Sequence, residues 1–375
     1  MTIFTNVRLV LPDAVIQGTL VAESGRIVDV QPGRSAHPSA VDLEGDFLMP
    51  GMVDLHTDNL ERQVQPRANA RWPARSAFLA HDAQCAAAGV TTVLDALCLG
   101  DLGFDQGRDQ TFREGVEEAT ALAGSGALRV EHLLHLRCEL PARDMPGLLD
   151  SVADHPLVAM ASLMDHSPGV GQYRDLDRYR AMRVRQTKMT ASEVEQRIAE
   201  LLAQREQTLE PQRRFALDRL SARALPLASH DDETKAQVTR NAGDGIRVSE
   251  FPVTMEAAEA ARDLGVGVIA GAPNLVRGGS HSGNVAVMDL LRAGTVTAIA
   301  SDYVPSAMVE AAFLAAKEIG LPAAIATVTS APARMAKLED RGRLEAGQRA
   351  DLVRVREHRG TPVIRETWVR GERVA

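Results

Sequence analysis

Residues 49–64, MPGMVDLHTDNLERQV, contain the first side chains of this chain whose types and spacing could hold a metal ion. A Pro-Gly turn leads into an apolar run that predicts a buried strand, and His56 and Asp58 stand at the end of that run. Imidazole and carboxylate groups are both ligands of zinc, manganese and iron. A carboxylate at Asp58 adds a hard oxygen donor, which favours manganese or iron over zinc.

Polar side chains also stand at or near the ends of later apolar runs: His135, Arg137, Glu139, Asp165, His166, His230, Asp231, Asp232 and Asp302. An isolated histidine is more often a hydrogen-bonded structural side chain than a ligand. Several strands that end in His or Asp favour a metal site, because uncompensated buried charge is costly. A bound divalent cation would bring the pKa of a water toward neutrality and make it a nucleophile. Asp95 ends another run and fits either a ligand's hydrogen-bond partner or a helix cap.

Short apolar runs alternate with helical patterns through the middle of the chain, which is typical of parallel strands joined by crossover helices. The predicted strands cover residues 51–56, 90–97, 128–138, 157–165, 225–230, 246–251, 265–272 and 296–302. Eight such strands predict an α/β protein with a (β/α)8 barrel, whose strand ends meet at one mouth. A doubly wound sheet is the alternative, but no glycine-rich phosphate-binding fingerprint follows the first strand.

Three further segments complete the predicted architecture. The two ends of the chain carry short alternating runs separated by Gly, Pro and Asp, which predict a small β-sandwich domain built from residues 1–50 and 338–375. Residues 51–337 would then form the barrel. Residues 170–220 predict a long polar helical insertion that covers one face of the barrel or acts as a lid.

Composition narrows the classes of function. A length of 375 residues with 45% hydrophobic content supports a large core, and a net charge of -8 without a long Lys/Arg block argues against nucleic-acid binding. The start of the chain does not resemble a signal peptide and no apolar run could span a bilayer, so we expect a cytoplasmic protein without a membrane partner. Three scattered cysteines predict reduced thiols. A homo-oligomer is compatible with these features.

Six motifs carry a resemblance to a known family. They are HTDNLE at 56–61, HLRCEL at 135–140, SLMDHSPG at 162–169, ASHDD at 228–232, GAPNLVRGGSHSGN at 271–284 and SDYVP at 301–305. With MPGMVDLH near the start and GRLEAGQRADLV near the end, they make the whole chain resemble the amidohydrolase superfamily. Within it, the motifs resemble the family of α-D-ribose 1-methylphosphonate 5-triphosphate diphosphatases of the carbon-phosphorus lyase pathway.

The resemblance implies a reaction and a set of ligands. The reaction would be release of pyrophosphate from a ribose phosphonate 5-triphosphate, with one or two divalent ions of manganese, zinc or iron. The implied metal ligands are His56, Asp58, Glu139, His166, His230 and Asp302. His56 and Asp58 would hold the more buried ion, Glu139 would bridge, and His166 and His230 would hold the second ion. Asp302 would also act as the general base.

A phosphorylated sugar substrate also requires positive charge near the metal site. The predicted substrate-binding residues are Arg62, Arg67, Arg137, Lys188, Arg277 and His281. Arg277 and His281 lie in a glycine-rich loop whose backbone can approach phosphate oxygens closely, although such a loop also fits a tight barrel turn. Lys188 lies in the insertion, where it could close over a triphosphate or remain a solvated surface charge.

Two other functions are compatible with the same pattern. One is a different amidohydrolase reaction, such as deacetylation of an amino sugar or hydrolysis or deamination of an amide. The other is a non-catalytic role in a phosphonate-pathway complex. The arginines and the glycine-rich loop favour a polyphosphate substrate over a neutral amide.

Overall fold

A central barrel and a separate terminal sheet make up the computed structural model, which describes residues 1–67, 70–103, 107–187, 189–280 and 282–375. The strands are β1 (Thr2–Val10), β2 (Val15–Glu23), β3 (Arg26–Pro32), β4 (Val41–Asp42), β5 (Phe47–Pro50), β6 (Met52–Thr57), β7 (Val90–Leu99), β8 (Glu131–Glu139), β9 (Val158–Met164), β10 (Leu227–His230), β11 (Val248–Glu250), β12 (Gly267–Gly271), β13 (Ala298–Ala300), β14 (Leu352–His358), β15 (Thr361–Val369) and β16 (Glu372–Arg373). The helices are α1 (Asn59–Val64), α2 (Ala74–Ala87), α3 (Arg108–Leu122), α4 (Met145–Val152), α5 (Leu176–Gln186), α6 (Ala191–Ser221), α7 (Lys235–Gly243), α8 (Met255–Asp263), α9 (Ala272–Arg277), α10 (Val287–Arg292), α11 (Ala307–Ile319), α12 (Leu321–Ala326) and α13 (Ser330–Met335).

The predicted (β/α)8 barrel is confirmed. Strands β6 to β13 are parallel and each pairs with the next in chain order. The ring is nearly closed by a parallel bridge between Thr57 and Asp302, where the Asp302 backbone N–H donates to the His56 carbonyl at 3.0 Å. Because helices cover the outside, both faces of β7 are buried, which fits a sequence that is mostly apolar and does not alternate with polar residues. This closure brings the carboxyl ends of the first and last barrel strands together.

Both chain termini contribute to one further sheet, as predicted. Its strands run in the order β16-β15-β14-β5-β1-β2-β3, and β4 pairs with β1. Phe4, Leu20 and Trp368 are buried in its core, and the Phe4 and Trp368 rings meet edge to face at 5.0 Å. Glu131, at the start of barrel strand β8, accepts from Arg341 and Arg349 of the C-terminal segment. These ion pairs attach the terminal segment to the end of the barrel opposite the mouth.

The insertion after β9 contains two helices where the sequence predicts one long helical stretch. A 3-10 turn at Gly171–Tyr173 precedes α5, and α6 runs for 31 residues. Asp175 caps α5, and Thr190 forms a capping box with Glu193 at the start of α6, so each helix has its own start signal. Among the described residues, no helix is long and apolar enough to cross a membrane.

Candidate metal centre

A cavity of about 320 Å³ lies at the carboxyl ends of the barrel strands. It is lined by seven of the residues predicted from the sequence: His56, Asp58, Arg137, Glu139, His166, His230 and Asp302. The insertion and the loop after α9 form other parts of its wall, through Tyr173, Arg183, Ser280, Ser282 and Asn284. Polar side chains from distant parts of the chain therefore meet in one enclosed space.

The first cluster of candidate ligands consists of His56, Asp58 and Asp302. One donor atom from each lies within 4.8 Å of the others, and His56 Nε2 is 3.7 Å from Asp58 Oδ1. Asp302 adopts a left-handed backbone conformation with φ of 57°. For a non-glycine residue this conformation carries strain, and here it coincides with the closure of the barrel at His56. The three donors come from the first and last barrel strands or the residues just after them.

The second cluster consists of His166, His230 and Asp231, whose donor atoms also lie within 4.8 Å of one another. Asp231 Oδ2 is 4.0 Å from His166 Nε2, and Asp231 Oδ1 is 3.9 Å from His230 Nε2. Asp231 also has a left-handed backbone, with φ of 57°. Asp231 stands at a predicted strand end and is not among the ligands that the family resemblance implies. The structure brings it between the two histidines.

The separations in both clusters suit a shared cation better than a shared proton. The three imidazole-carboxylate distances of 3.7 to 4.0 Å are too long for hydrogen bonds. Two donor atoms that each lie about 2.1 Å from one divalent cation are at most about 4.2 Å apart. His166 Nε2 is buried and has no hydrogen-bond partner among the residues that the structure describes. These donor sets therefore fit divalent metal ions.

Glu250, which is not among the predicted site residues, contacts one histidine of each cluster on the side of the ring that faces away from the cavity. Its carboxylate is fully buried and lies 3.2 Å from His56 Nδ1 through Oε1 and 3.2 Å from His230 Nδ1 through Oε2. Burial alone would raise the pKa of Glu250, but His135, His56 and the hydrogen bond from His230 hold that pKa well below its ordinary value. An ionised Glu250 accepts from both Nδ1 atoms and so directs both Nε2 atoms toward the cavity.

Glu139 has a similar position behind His166. Its Oε1 accepts from the His166 backbone N–H at 2.8 Å, and its Oε2 lies 2.6 Å from His166 Nδ1. Both carboxylate oxygens are thus engaged by one residue, and Glu139 belongs to neither cluster of described residues. Glu139 is therefore placed to orient a histidine, and its role as a bridging ligand stays a prediction.

The two aspartates of the first cluster differ in their electrostatic surroundings. Burial would raise the pKa of Asp58, but Arg137, His56 and Arg108 lower it below its ordinary value. Arg137 Nη1 donates to Asp58 Oδ1 at 2.6 Å. Burial, followed by the charge of Asp58, raises the pKa of Asp302 to about 7. Neighbouring carboxylates with separated pKa values can divide the roles of charged ligand and proton acceptor.

Comparison with known proteins agrees with this geometry. The model of the Amidohydrolase family matches residues 256–375. The chain is 40% identical over 376 residues to the α-D-ribose 1-methylphosphonate 5-triphosphate diphosphatase of Escherichia coli strain K12, covering 99% of this chain and 100% of that one. This chain belongs to the amidohydrolase superfamily and to the family of that diphosphatase.

Solved amidohydrolase structures share the fold of this family member at low sequence identity. An N-acetyl-D-glucosamine-6-phosphate deacetylase from Mycobacterium smegmatis superposes with a TM-score of 0.65 and 18% identity, covering 100% of both chains. A dihydropyrimidinase from Brevibacillus agri gives a TM-score of 0.64 and 13% identity, covering 99% of this chain and 94% of that one. At these identities the likeness shows the common barrel and terminal sheet, and no shared substrate.

Three of the predicted substrate-binding arginines do not line the cavity of this amidohydrolase. Arg62, Arg67 and Arg277 are exposed and do not line the cavity, although Arg62 donates to the carbonyl of Tyr303, a residue of the cavity wall, at 2.7 Å. Arg277 ends helix α9 just before Gly278, whose left-handed backbone turns the chain. The structure thus does not bring these three arginines to the cavity, and their substrate-binding role stays a prediction. Lys188 and His281 lie outside the described residues.

Two arginines that were not predicted do line the cavity. Arg108 begins α3 after the second barrel strand, and Arg183 lies in α5 of the insertion. The glycine-rich loop contributes Ser280, Ser282 and Asn284 where Arg277 was expected. The insertion carries many arginines, so sequence alone offered no signal for the one that faces the cavity.

Proposed function

We propose that this protein is a metal-dependent hydrolase that removes pyrophosphate from α-D-ribose 1-methylphosphonate 5-triphosphate and leaves the 5-phosphate. The observation that carries this proposal is the 40% identity, over essentially the full length of both chains, to a diphosphatase with that printed name. The paired donor clusters in one cavity support it, because two adjacent cation sites suit displacement at phosphorus.

We assign the candidate ligands to two cation positions. His56, Asp58 and Asp302 would hold one ion, and His166, His230 and Asp231 would hold the other. Divalent cations bound there would supply Lewis-acid polarisation of the phosphoryl oxygens and of the attacking water. The carboxylates favour manganese or iron over zinc, since each set contains hard oxygen donors.

Asp302 is our candidate for the general base. Asp302 lies at the first cation position beside the ionised Asp58, where its carboxylate can accept the proton of the attacking water. As the water oxygen bonds to the α-phosphorus, the proton passes to Asp302 and the bond to the α–β bridging oxygen breaks. Pyrophosphate leaves with that oxygen. Asp58 stays ionised beside Arg137 and cannot compete for the proton.

Arg108 and Arg137 supply positive charge close to the clusters. Both line the cavity, and both contribute to the lowered pKa of Asp58. Planar guanidinium groups match phosphoryl oxygens with paired hydrogen bonds, so these two residues replace the exposed arginines as our candidate phosphate ligands.

The test is release of pyrophosphate by the manganese-loaded protein from α-D-ribose 1-methylphosphonate 5-triphosphate, with metal content measured on the same preparation. ATP and N-acetylglucosamine 6-phosphate serve as comparison substrates. Arg108→Ala should raise KM, whereas Arg277→Ala, an exposed arginine outside the cavity, should not. Deacetylation without pyrophosphate release would favour the amino-sugar alternative, and no activity in a metal-replete protein would favour a non-catalytic role.

A further inference from the structure

The loop after helix α9 gives the cavity a wall without charge, which we call the neutral wall and which consists of Ser280, Ser282, Asn284 and Val285. No described residue of the stretch 271–290 that lines the cavity carries a charged side chain, whereas the two metal clusters consist of histidines and aspartates. Hydroxyl and amide groups both donate and accept hydrogen bonds. The neutral wall therefore suits an uncharged, hydrogen-bonding part of a ligand.

The side chain of Asn284 has an amide oxygen without a donor in the described part of the chain. Asn284 Oδ1 is buried, and no described residue forms a hydrogen bond with it. Burying an acceptor without a donor removes its hydration and gives nothing in return, so such atoms are rare in native proteins. Because Asn284 lines the cavity, a ligand in the cavity can supply the donor.

Hydrogen bonds on both sides hold Asn284 in position. Arg174 Nη2 donates to the Gly283 carbonyl at 3.1 Å, and Asn274 Nδ2 donates to the Val285 carbonyl at 3.2 Å. The residues before and after Asn284 are thus attached to the insertion and to helix α9. Its backbone is fixed before a ligand binds, so little conformational entropy is lost when the amide forms a hydrogen bond.

The neutral wall adjoins the metal clusters through the turn after β11. The Val285 backbone N–H donates to the Val253 carbonyl at 3.1 Å, and Phe251 of the same turn lines the cavity. The ring centroid of Phe251 is 4.9 Å from that of His56 and 5.4 Å from that of His230, so it contacts one histidine of each cluster. A group attached directly to a phosphate at the clusters would therefore lie beside the neutral wall.

The chemistry of a sugar triphosphate decides which of its parts suits Asn284. Ionised phosphoryl and phosphonyl oxygens only accept hydrogen bonds, so they have no proton to donate to an amide oxygen. A ribose hydroxyl donates as well as accepts and can pair with an amide oxygen. The ring is attached to the 5-phosphate through a single methylene group. It therefore lies next to the clusters when the α-phosphorus is bound there.

We infer that Asn284 forms a hydroxyl-binding subsite for the ribose ring, in which Oδ1 accepts a hydrogen bond from the hydroxyl on C2 or on C3. This inference rests on the proposed function, which places the α-phosphorus at the metal clusters. The subsite makes the protein selective for ribose over a deoxyribose, because a sugar without that hydroxyl leaves Oδ1 buried and unpaired.

Titration calorimetry on the manganese-loaded protein tests the subsite with ribose 5-phosphate, 2-deoxyribose 5-phosphate and 3-deoxyribose 5-phosphate. The wild type should bind ribose 5-phosphate about 10-fold more tightly than one of the two deoxy sugars, as expected for one neutral hydrogen bond. Asn284→Leu keeps the volume of the side chain and removes both polar atoms, so it should bind all three sugars about equally. Asp289→Asn is the matched control, because Asp289 is exposed on α10 and does not line the cavity.

Each outcome supports or overturns the subsite. A preference for ribose that Asn284→Leu abolishes and Asp289→Asn retains supports it, and the deoxy sugar that binds weakly identifies the hydroxyl. A wild type without preference overturns it. A preference that Asn284→Leu retains overturns it too, even if all three sugars bind less tightly, because the amide would then contact the shared phosphate; should Asn284→Leu not fold, Asn284→Ala decides in the same way. Because no turnover is measured, an Asn284-dependent preference in a protein that releases no pyrophosphate contradicts the proposed reaction and leaves the subsite standing.

Discussion

Two groups of side chains in this protein consist of the same residue types, histidine and aspartate, but differ in the distances between those side chains. One is the candidate metal centre, which consists of His56, Asp58, His166, His230, Asp231 and Asp302 and has imidazole-carboxylate distances of 3.7 to 4.0 Å. The other, which we call the inner cluster, consists of His81, Asp95 and His132 and lies between helix α2 and strands β7 and β8. There, Asp95 lies 2.7 Å from His81 Nε2 and 2.8 Å from His132 Nδ1.

The difference shows how to separate a cation site from a structural network. In the inner cluster, hydrogen bonds join most of the side chains: Asp95 contacts both histidines, and Asn59 Nδ2 lies 2.9 Å from His81 Nδ1. His132 Nε2, 3.4 Å from Asp82 Oδ1, is the exception among these atoms, because it has no hydrogen-bond partner among the described residues. In the candidate metal centre, the Nδ1 atom of each histidine lies at hydrogen-bond distance from a carboxylate of Glu250 or Glu139. The Nε2 atoms face the other candidate ligands at distances too long for a hydrogen bond. We therefore expect changes in the metal centre to alter activity and changes in the inner cluster to alter stability.

Asp302→Asn should have the largest effect. Removing the proton acceptor should lower kcat by about 10²-fold to 10⁴-fold, the usual contribution of a general base. The amide keeps the side-chain volume, so the free energy of unfolding should stay near that of the wild type. Steady-state pyrophosphate release tests the predicted fall in kcat, and urea unfolding of the same preparation tests the unchanged free energy of unfolding. A variant that retains wild-type turnover would remove Asp302 from the reaction.

Asp95→Asn should show the reverse pattern. It leaves the buried His132 without its main anionic partner, and breaking one side of a buried ion pair typically costs about 3 to 5 kcal/mol. The folded fraction should turn over substrate with wild-type kcat and KM. Urea unfolding gives the stability change, and loss of bound metal in this variant would show that the inner cluster is itself a cation site.

The inner cluster should also make stability depend on pH. Burial alone would lower the pKa of His132, but Asp95 and Asp82 raise it from 6.5 to about 9. A raised folded-state pKa contributes stability that is fully present below pH 6.5 and is lost as pH rises to about 9. The loss should be on the order of 3 kcal/mol, measured by urea unfolding across that range. His132→Gln should flatten the profile, and an unchanged slope in this variant would contradict the assignment.

The sequence predicts the barrel well because its strands are buried on both faces. Each of the eight predicted strands overlaps an observed strand, and six predicted ligands at or near their ends line one cavity: His56, Asp58, Glu139, His166, His230 and Asp302. Parallel topology alone brings strand ends together, so this part of the site follows from local patterns.

The rest of the site depends on tertiary placement that local patterns do not encode. Glu250 ends a short strand, and only the packing of β11 beside β10 shows that it lies between two histidines. Arg183 is one of many charged residues in the insertion, and the docking of that segment selects it. Arg277 was predicted from its glycine-rich surroundings, but α9 ends there and leaves its side chain exposed.

The smallest effect that we expect is a loss of metal affinity, and it should differ between variants of Glu250 and Glu139, the two carboxylates that contact the candidate histidine ligands. Glu250→Gln places an amide N–H₂ against the Nδ1 of His56 or His230, so ligands of both clusters lose their orientation, whereas Glu139→Gln disturbs only His166. Loss of such an orienting partner typically weakens metal affinity by about 10-fold to 100-fold. Manganese titration should therefore show two weakened equivalents in the Glu250 variant and one in the Glu139 variant. If both variants lost the same number of manganese equivalents, the two clusters would bind cations as one unit. The contact of Glu250 with a histidine of each cluster would then explain the coupling.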